Sequence, residues 1–232
     1  KGSHAVLTKS LPLLIPGIAA SAFHALIRLA YAIEANHEGE IAIALAYWCS
    51  EFQSFNSSTE TTKESLEEIL SRLAPISVNH KFSPGIIINR MDEVGKLLNT
   101  ASYVVQPNKI LLSDIRNLAL KAFYKENNFT LLHTVTGCHA LSIILPFVNN
   151  TDFALREFWQ AVLIAYLSTG LEFSANKVTL IEKDIDFDSI IQAALESSDS
   201  HIIKLVYTCL KEFRESQDPL YAAIAQRATL SQ

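Results

Sequence analysis

His133-Thr134-Val135-Thr136-Gly137-Cys138-His139 places two imidazoles inside an apolar run, Leu131 to Phe147, where packing alone selects Leu or Ala. Imidazole serves as a metal ligand or a proton carrier, and its ring nitrogens are costly to bury without partners. A single buried histidine is commonly satisfied by backbone carbonyls, whereas a pair in one helix points to a site. Helical geometry constrains that pair. Six residues span about 600°, so the two rings point roughly 120° apart. Both reach one ion only if the helix bends, for which Gly137 is the obvious place, or if one ring acts from behind the other.

A second candidate group lies upstream. At helical spacing His24, Arg28 and Tyr31 share one narrow stripe, while Phe23, Leu26, Ile27, Leu29, Ala30 and Ile33 fill most of the remaining surface. Either the stripe faces solvent on an ordinary amphipathic helix, or it lines a cavity on a largely buried one. Downstream, His201 and Lys204 are neighbours on one helical face. The apolar set Ile202, Ile203, Val206, Leu210 and Phe213 lies nearly opposite His201, so pattern alone places His201 and Lys204 in solvent. His37 and His80 fall in loops beside Glu38 and Lys81 and read as surface residues. Glycine-rich phosphate loops, His-Glu-x-x-His, serine elbows and Cys-x-x-Cys are all missing from the sequence. Cys138 adjoins His139, but adjacent helical residues splay apart and make no dyad.

The elements that must hold these groups are helical. The apolar period predicts helices over roughly 18–36, 39–55, 60–73, 86–104, 111–126, 130–148, 152–171, 186–197, 199–215 and 218–229. Thr59 to Thr62 ahead of the acidic Glu64 to Glu68, and Asp114, Asp152, Asp188 and Asp199, stand near starts. Pro75, Pro84, Pro107 and Pro146 mark ends, 74–85 and 105–110 read as loops, and a short strand is compatible with Val178 to Ile181. The chain of 232 residues is 49% hydrophobic, enough for a full core, with no repeat or low-complexity linker. The expectation is all-α: a single multi-helix domain packed around a polar cavity.

Composition excludes several function classes. The net charge is −5 with no basic stripe, which argues against nucleic acid. The run Leu11 to Ala20 is interrupted by Pro12, Pro16 and Gly17, and no uninterrupted apolar stretch is as long as a membrane span needs, so no membrane partner is expected. Cys49, Cys138 and Cys209 are odd in number without paired spacing, as in a cytoplasmic protein with reduced thiols.

The segments Phe23 to Glu34, Ala44 to Trp48, Leu132 to Leu141, Phe158 to Ala161, Asp199 to Lys204 and Pro219 to Tyr221 together resemble the questin oxidase-like family, in the family's order and across nearly the whole chain. The resemblance implies an oxidoreductase, an oxygenase that inserts oxygen into or cleaves rings of polycyclic aromatic ketones such as anthraquinones. Some members are Baeyer–Villiger-type enzymes associated with NADPH. Others are similar to non-haem iron dioxygenases whose iron is held by histidines and a carboxylated lysine. Carried over by motif, the metal ligands would be His24, His133, His139 and His201, with Lys204 as the lysine, and Arg28 or Tyr31 would contact the substrate or an oxyanion. Under that assignment His201 and Lys204 face an internal cavity, against the exposure that the pattern suggests. The sequence departs from the family at Arg28, where fungal members tend to carry a second histidine. It also starts after the family's N-terminal portion with its Asn-His motif, so residues 1–232 read as the C-terminal part of a longer member. Two other readings stand beside this one: a helical binding or scaffold protein with an incomplete, inactive site, and a cofactor-independent oxygenase or hydrolase using the histidines as bases.

Overall fold

The computed structural model describes residues 2–55, 60–175 and 185–230. Among them the chain forms eleven α-helices and one two-residue parallel strand pair. Leu7, Leu11 and Leu14 recur at helical spacing and bury one face of α1 (Ser3–Leu14). This helix was not anticipated, because Pro12 and Pro16 read as breakers. Pro12 instead sits inside its last turns, and Pro16 occupies a following 3-10 turn, Ile15–Gly17. The next helices are α2 (His24–Glu34) and α3 (Glu38–Ser50), and Trp48 on α3 donates to the Gly17 carbonyl at 2.8 Å.

Thr61–Thr62 form β1, paired in parallel with β2 (Gln106–Pro107), where sequence reading placed a helix start and a loop. The helix that follows, α4 (Leu66–Val78), begins later than Thr59 to Thr62 suggest. Its start is set by a capping box, in which Ser65 Oγ accepts from Glu68 N–H and Glu68 Oε2 accepts from Ser65 N–H. It continues through Pro75 into the stretch expected to be a loop. Next come α5 (Ile87–Thr100), α6 (Leu112–Glu126), α7 (Phe129–Ile144), α8 (Thr151–Leu167), α9 (Phe187–Glu196), α10 (Ser200–Ser216) and α11 (Pro219–Leu230). The strand considered near Val178 to Ile181 lies outside the described residues.

The centre of the fold is α7, which packs against α2, α6, α8 and α10. Every residue from Leu131 to Leu141 is buried, as the lack of a polar face in that stretch predicts. Phe129–Phe147 is long and apolar enough to cross a membrane by length and composition, yet two thirds of its most apolar window is covered by the rest of the fold. Gly137 does not break α7, which is helical throughout. Its role is close packing: a Cβ there would stand 3.3 Å from Phe158 and 3.5 Å from Phe23.

Candidate functional site

Three of the candidate histidines converge. His24 opens α2 directly after Ser21, Ala22 and Phe23, three non-glycine residues in the left-handed region with φ of 50°, 54° and 70°. That turn carries the Ser21 carbonyl back onto the ring of His24, whose Nδ1 donates to it at 2.6 Å. On α7, His133 Nδ1 donates to the Phe129 carbonyl one turn earlier at 2.9 Å. On α10 the N-cap residue Asp199 accepts with one oxygen from both the backbone N–H of His201, at 2.8 Å, and its Nδ1, at 2.9 Å. In each ring Nδ1 is therefore the donor, and a neutral imidazole is left with a bare lone pair on Nε2. Asp199 is kept below the usual carboxylate range by these bonds from His201.

The ligand atoms of His24, His133 and His201 all lie within 4.8 Å of one another. His24 Nε2 and His133 Nε2 stand 3.3 Å apart. Two neutral imidazoles with both Nδ1 positions donating would oppose lone pairs at that distance, so the arrangement calls for a cation between them. Burial holds His133 down to about 4 and lowers His24 as well, which disfavours a proton in that role. A metal ion fits the donor set. Phe129 packs edge-on against both His133 and His201 at 4.9 and 4.8 Å between ring centres. It closes one side of the group, and sequence reading missed it.

His201 is 27% exposed and Lys204 half-buried, so they stand at the rim rather than in open solvent. The buried face of α10 is not centred on the apolar set Ile202, Ile203, Val206, Leu210 and Phe213 from which exposure was expected. Leu205, Thr208 and Glu212 continue the stripe of His201 at successive turns, and all three are buried. Lys204 Nζ donates to Ser200 Oγ at 3.3 Å. A cavity of about 600 Å³ opens beside the histidines, walled by His24, Arg28, Tyr31, Tyr47 and Lys204. Arg28 is 43% exposed there and paired with Glu40 at 3.1 Å. Tyr31 donates weakly to the Lys204 carbonyl at 3.4 Å, and burial pushes its phenol up to about 12. Across His24 lies a second cavity of about 400 Å³ with Ile86, Ile88, Arg90 and Phe129 in its wall.

His139 is not brought to this group. On the continuous α7 it points elsewhere, donating from Nδ1 to Glu212 at 2.8 Å. Glu212 in turn meets Arg116 at 3.0 Å. Of the loop histidines, His37 caps α3 by accepting from Glu40 N–H, and His80 pairs with Glu93 at 2.7 Å. Cys138 and Cys209 are buried free thiols, both raised by burial, Cys138 to about 12.

Comparison with known proteins gives one match. No curated protein and no solved structure is significantly similar to the chain. A family model described as Questin oxidase-like matches residues 2–209, a span that includes His24, His133, His139, His201 and Lys204. With nine tenths of its length covered by that match, the chain belongs to the questin oxidase-like family, and membership makes it an oxidoreductase of oxygenase type.

Proposed function

We propose that His24, His133 and His201 hold a non-haem iron ion, with Lys204, once carboxylated by CO₂, as an oxygen donor at the rim. The observation that carries this reading is the 3.3 Å approach of two Nε2 atoms whose Nδ1 partners leave both lone pairs facing each other. Neutral imidazoles with an oxygen ligand and open positions suit ferrous iron, which when bound supplies the means of activating O₂. The protein's own part is to orient the rings and shape the groove. Ser21, Phe129 and Asp199 fix the three rings in one tautomer. The 600 Å³ cavity takes a polycyclic aromatic ketone or quinone, and Tyr31 and Arg28 stand where they can meet its oxygens. The reaction would be oxygen insertion or ring cleavage. NADPH is associated with some relatives, but without a glycine-rich phosphate loop in the sequence no step is assigned to it. Buried reduced thiols suit a cytoplasmic setting.

Elemental analysis of protein purified without an affinity-tag metal column tests the reading. Near-stoichiometric iron is expected, and it should be lost in His133→Ala while the helical circular dichroism is retained. Metal-free wild-type protein that takes up no added ferrous iron would overturn it.

A further inference from the structure

A line of charged groups runs from the interior to the groove. Arg116 on α6 meets Glu212 on α10, whose side chain is only 3% exposed, at 3.0 Å. The other Glu212 oxygen accepts from His139 Nδ1 on α7 at 2.8 Å. His139 Nε2 is buried without a hydrogen-bond partner and faces Glu34 Oε2 on α2 across 3.6 Å. A ring lone pair and a carboxylate oxygen attract each other only when a proton lies between them. The side chain of Glu34 is 20% exposed and walls a cavity of about 390 Å³ with Tyr31, Ile203, Lys204 and Tyr207. Tyr31 and Lys204 also wall the 600 Å³ cavity beside His24, so the two spaces adjoin.

We propose that Glu34 is a catalytic base for an acidic ring hydroxyl of the substrate, with His139, positioned by Glu212 and Arg116, receiving the proton. This rests on the reading that the groove takes a hydroxylated aromatic compound. In the step the substrate O–H bond breaks and its electron pair stays on oxygen. Glu34 Oε2 takes the proton and passes it to His139 Nε2, giving an imidazolium between Glu34 and Glu212. The ring oxyanion faces the ammonium of Lys211 on this side of the groove, whose Nζ is 3.5 Å from Glu34 Oε1 and 5.4 Å from the Tyr207 ring centre. Electron-rich phenolates are oxidised more readily than phenols, so the transfer would prepare the ring for oxygenation. The other titratable groups around the relay are Tyr31, Cys138, Tyr207, Cys209, Lys211 and Tyr221. Burial raises the phenols and thiols, and Tyr207 raises Lys211, so they stay protonated near neutrality.

The test uses anthraflavic acid, a dihydroxyanthraquinone whose hydroxyls lie too far from its carbonyls to chelate a metal and whose phenolate absorbs at longer wavelength than the phenol. Bound to the wild-type protein, its colour change should fall at a pH about one unit or more below that of the free dye. Glu34→Gln should bind it within about threefold yet return the midpoint to the free-dye value. Glu34→Asp should keep most of the shift, and His139→Gln should lose about half of it. Iron content is measured on the same samples, so an iron-free preparation that still ionises the dye counts against the metal reading alone. Binding without a lowered midpoint, or an unchanged midpoint in Glu34→Gln, overturns the relay. A wild-type protein that does not bind the dye overturns both the aromatic groove and the relay.

Discussion

A buried imidazole that donates one proton to a carbonyl and keeps its other nitrogen bare is held neutral by its surroundings, and His133 is such a residue. Its side chain is nearly inaccessible, and burial with the neighbouring His24 lowers it to about 4 from an ordinary 6.5. The sign of the linkage follows from which state binds the proton. Between about pH 6.5 and pH 4 the unfolded chain protonates His133 while the folded protein does not, so unfolding takes up a proton. Stability is therefore complete above pH 6.5 and falls as pH drops toward 4, by about 3 kcal/mol at most. Urea denaturation of chelator-treated protein at pH 7 and pH 4.5 should show that fall, and His133→Gln should remove most of it. A metal-free wild type equally stable at both values would rule out burial as the main influence on this ring.

At the scale of elements, how a segment is shaped decides what could be read from residue order. The apolar period around Leu131 to Leu141 marked α7 as a core helix, and His133 as an interior group, without ambiguity. The face of α10 could not be read the same way. A buried carboxylate looks like surface in a sequence, and only the partners Arg116 and His139, from two other helices, make the burial of Glu212 tolerable. The turn before α2 was equally hidden, because Ser21, Ala22 and Phe23 carry no glycine to announce left-handed backbone. Such residues cost about 1–2 kcal/mol each, so the surrounding packing must hold them in place. Phe23 does so by burying its ring against Phe158 under Gly137. A β-branched side chain tolerates this conformation least. Ala22→Val should lower the unfolding free energy by about 2 kcal/mol and loosen His24, whereas Ala22→Gly should change it by less than about 1 kcal/mol. Denaturation midpoints read the first effect and metal content the second. An Ala22→Val protein with wild-type stability would mean that the turn is not held as described.

At the scale of the whole molecule, the site joins parts of the chain that have no local reason to meet. His24 comes from the start of α2, His133 from the first turns of the central α7, and His201 from the start of α10. The family match spans all three, and α7 packs directly on the other two helices. Convergence is thus a property of the packed fold: helical spacing could only set His133 and His139 about 120° apart, and the structure brings His133 together with His24 and His201 from other helices. An ion bound by these rings would act as a cross-link between three helices, and it would stabilise the folded chain alone, since the unfolded chain does not gather the ligands. By mass action, free ion at a hundred times its Kd contributes about 2.7 kcal/mol. For a chain of this size that corresponds to a rise of about 5–11 °C in Tm. Chelator-stripped protein titrated anaerobically with ferrous iron should show this rise. It should be absent in His24→Ala and His201→Ala, which remove ligands from different helices, and present in His37→Ala, whose ring caps α3 and is not one of the three that converge. Equal rises in all four proteins would place the ion elsewhere on the molecule.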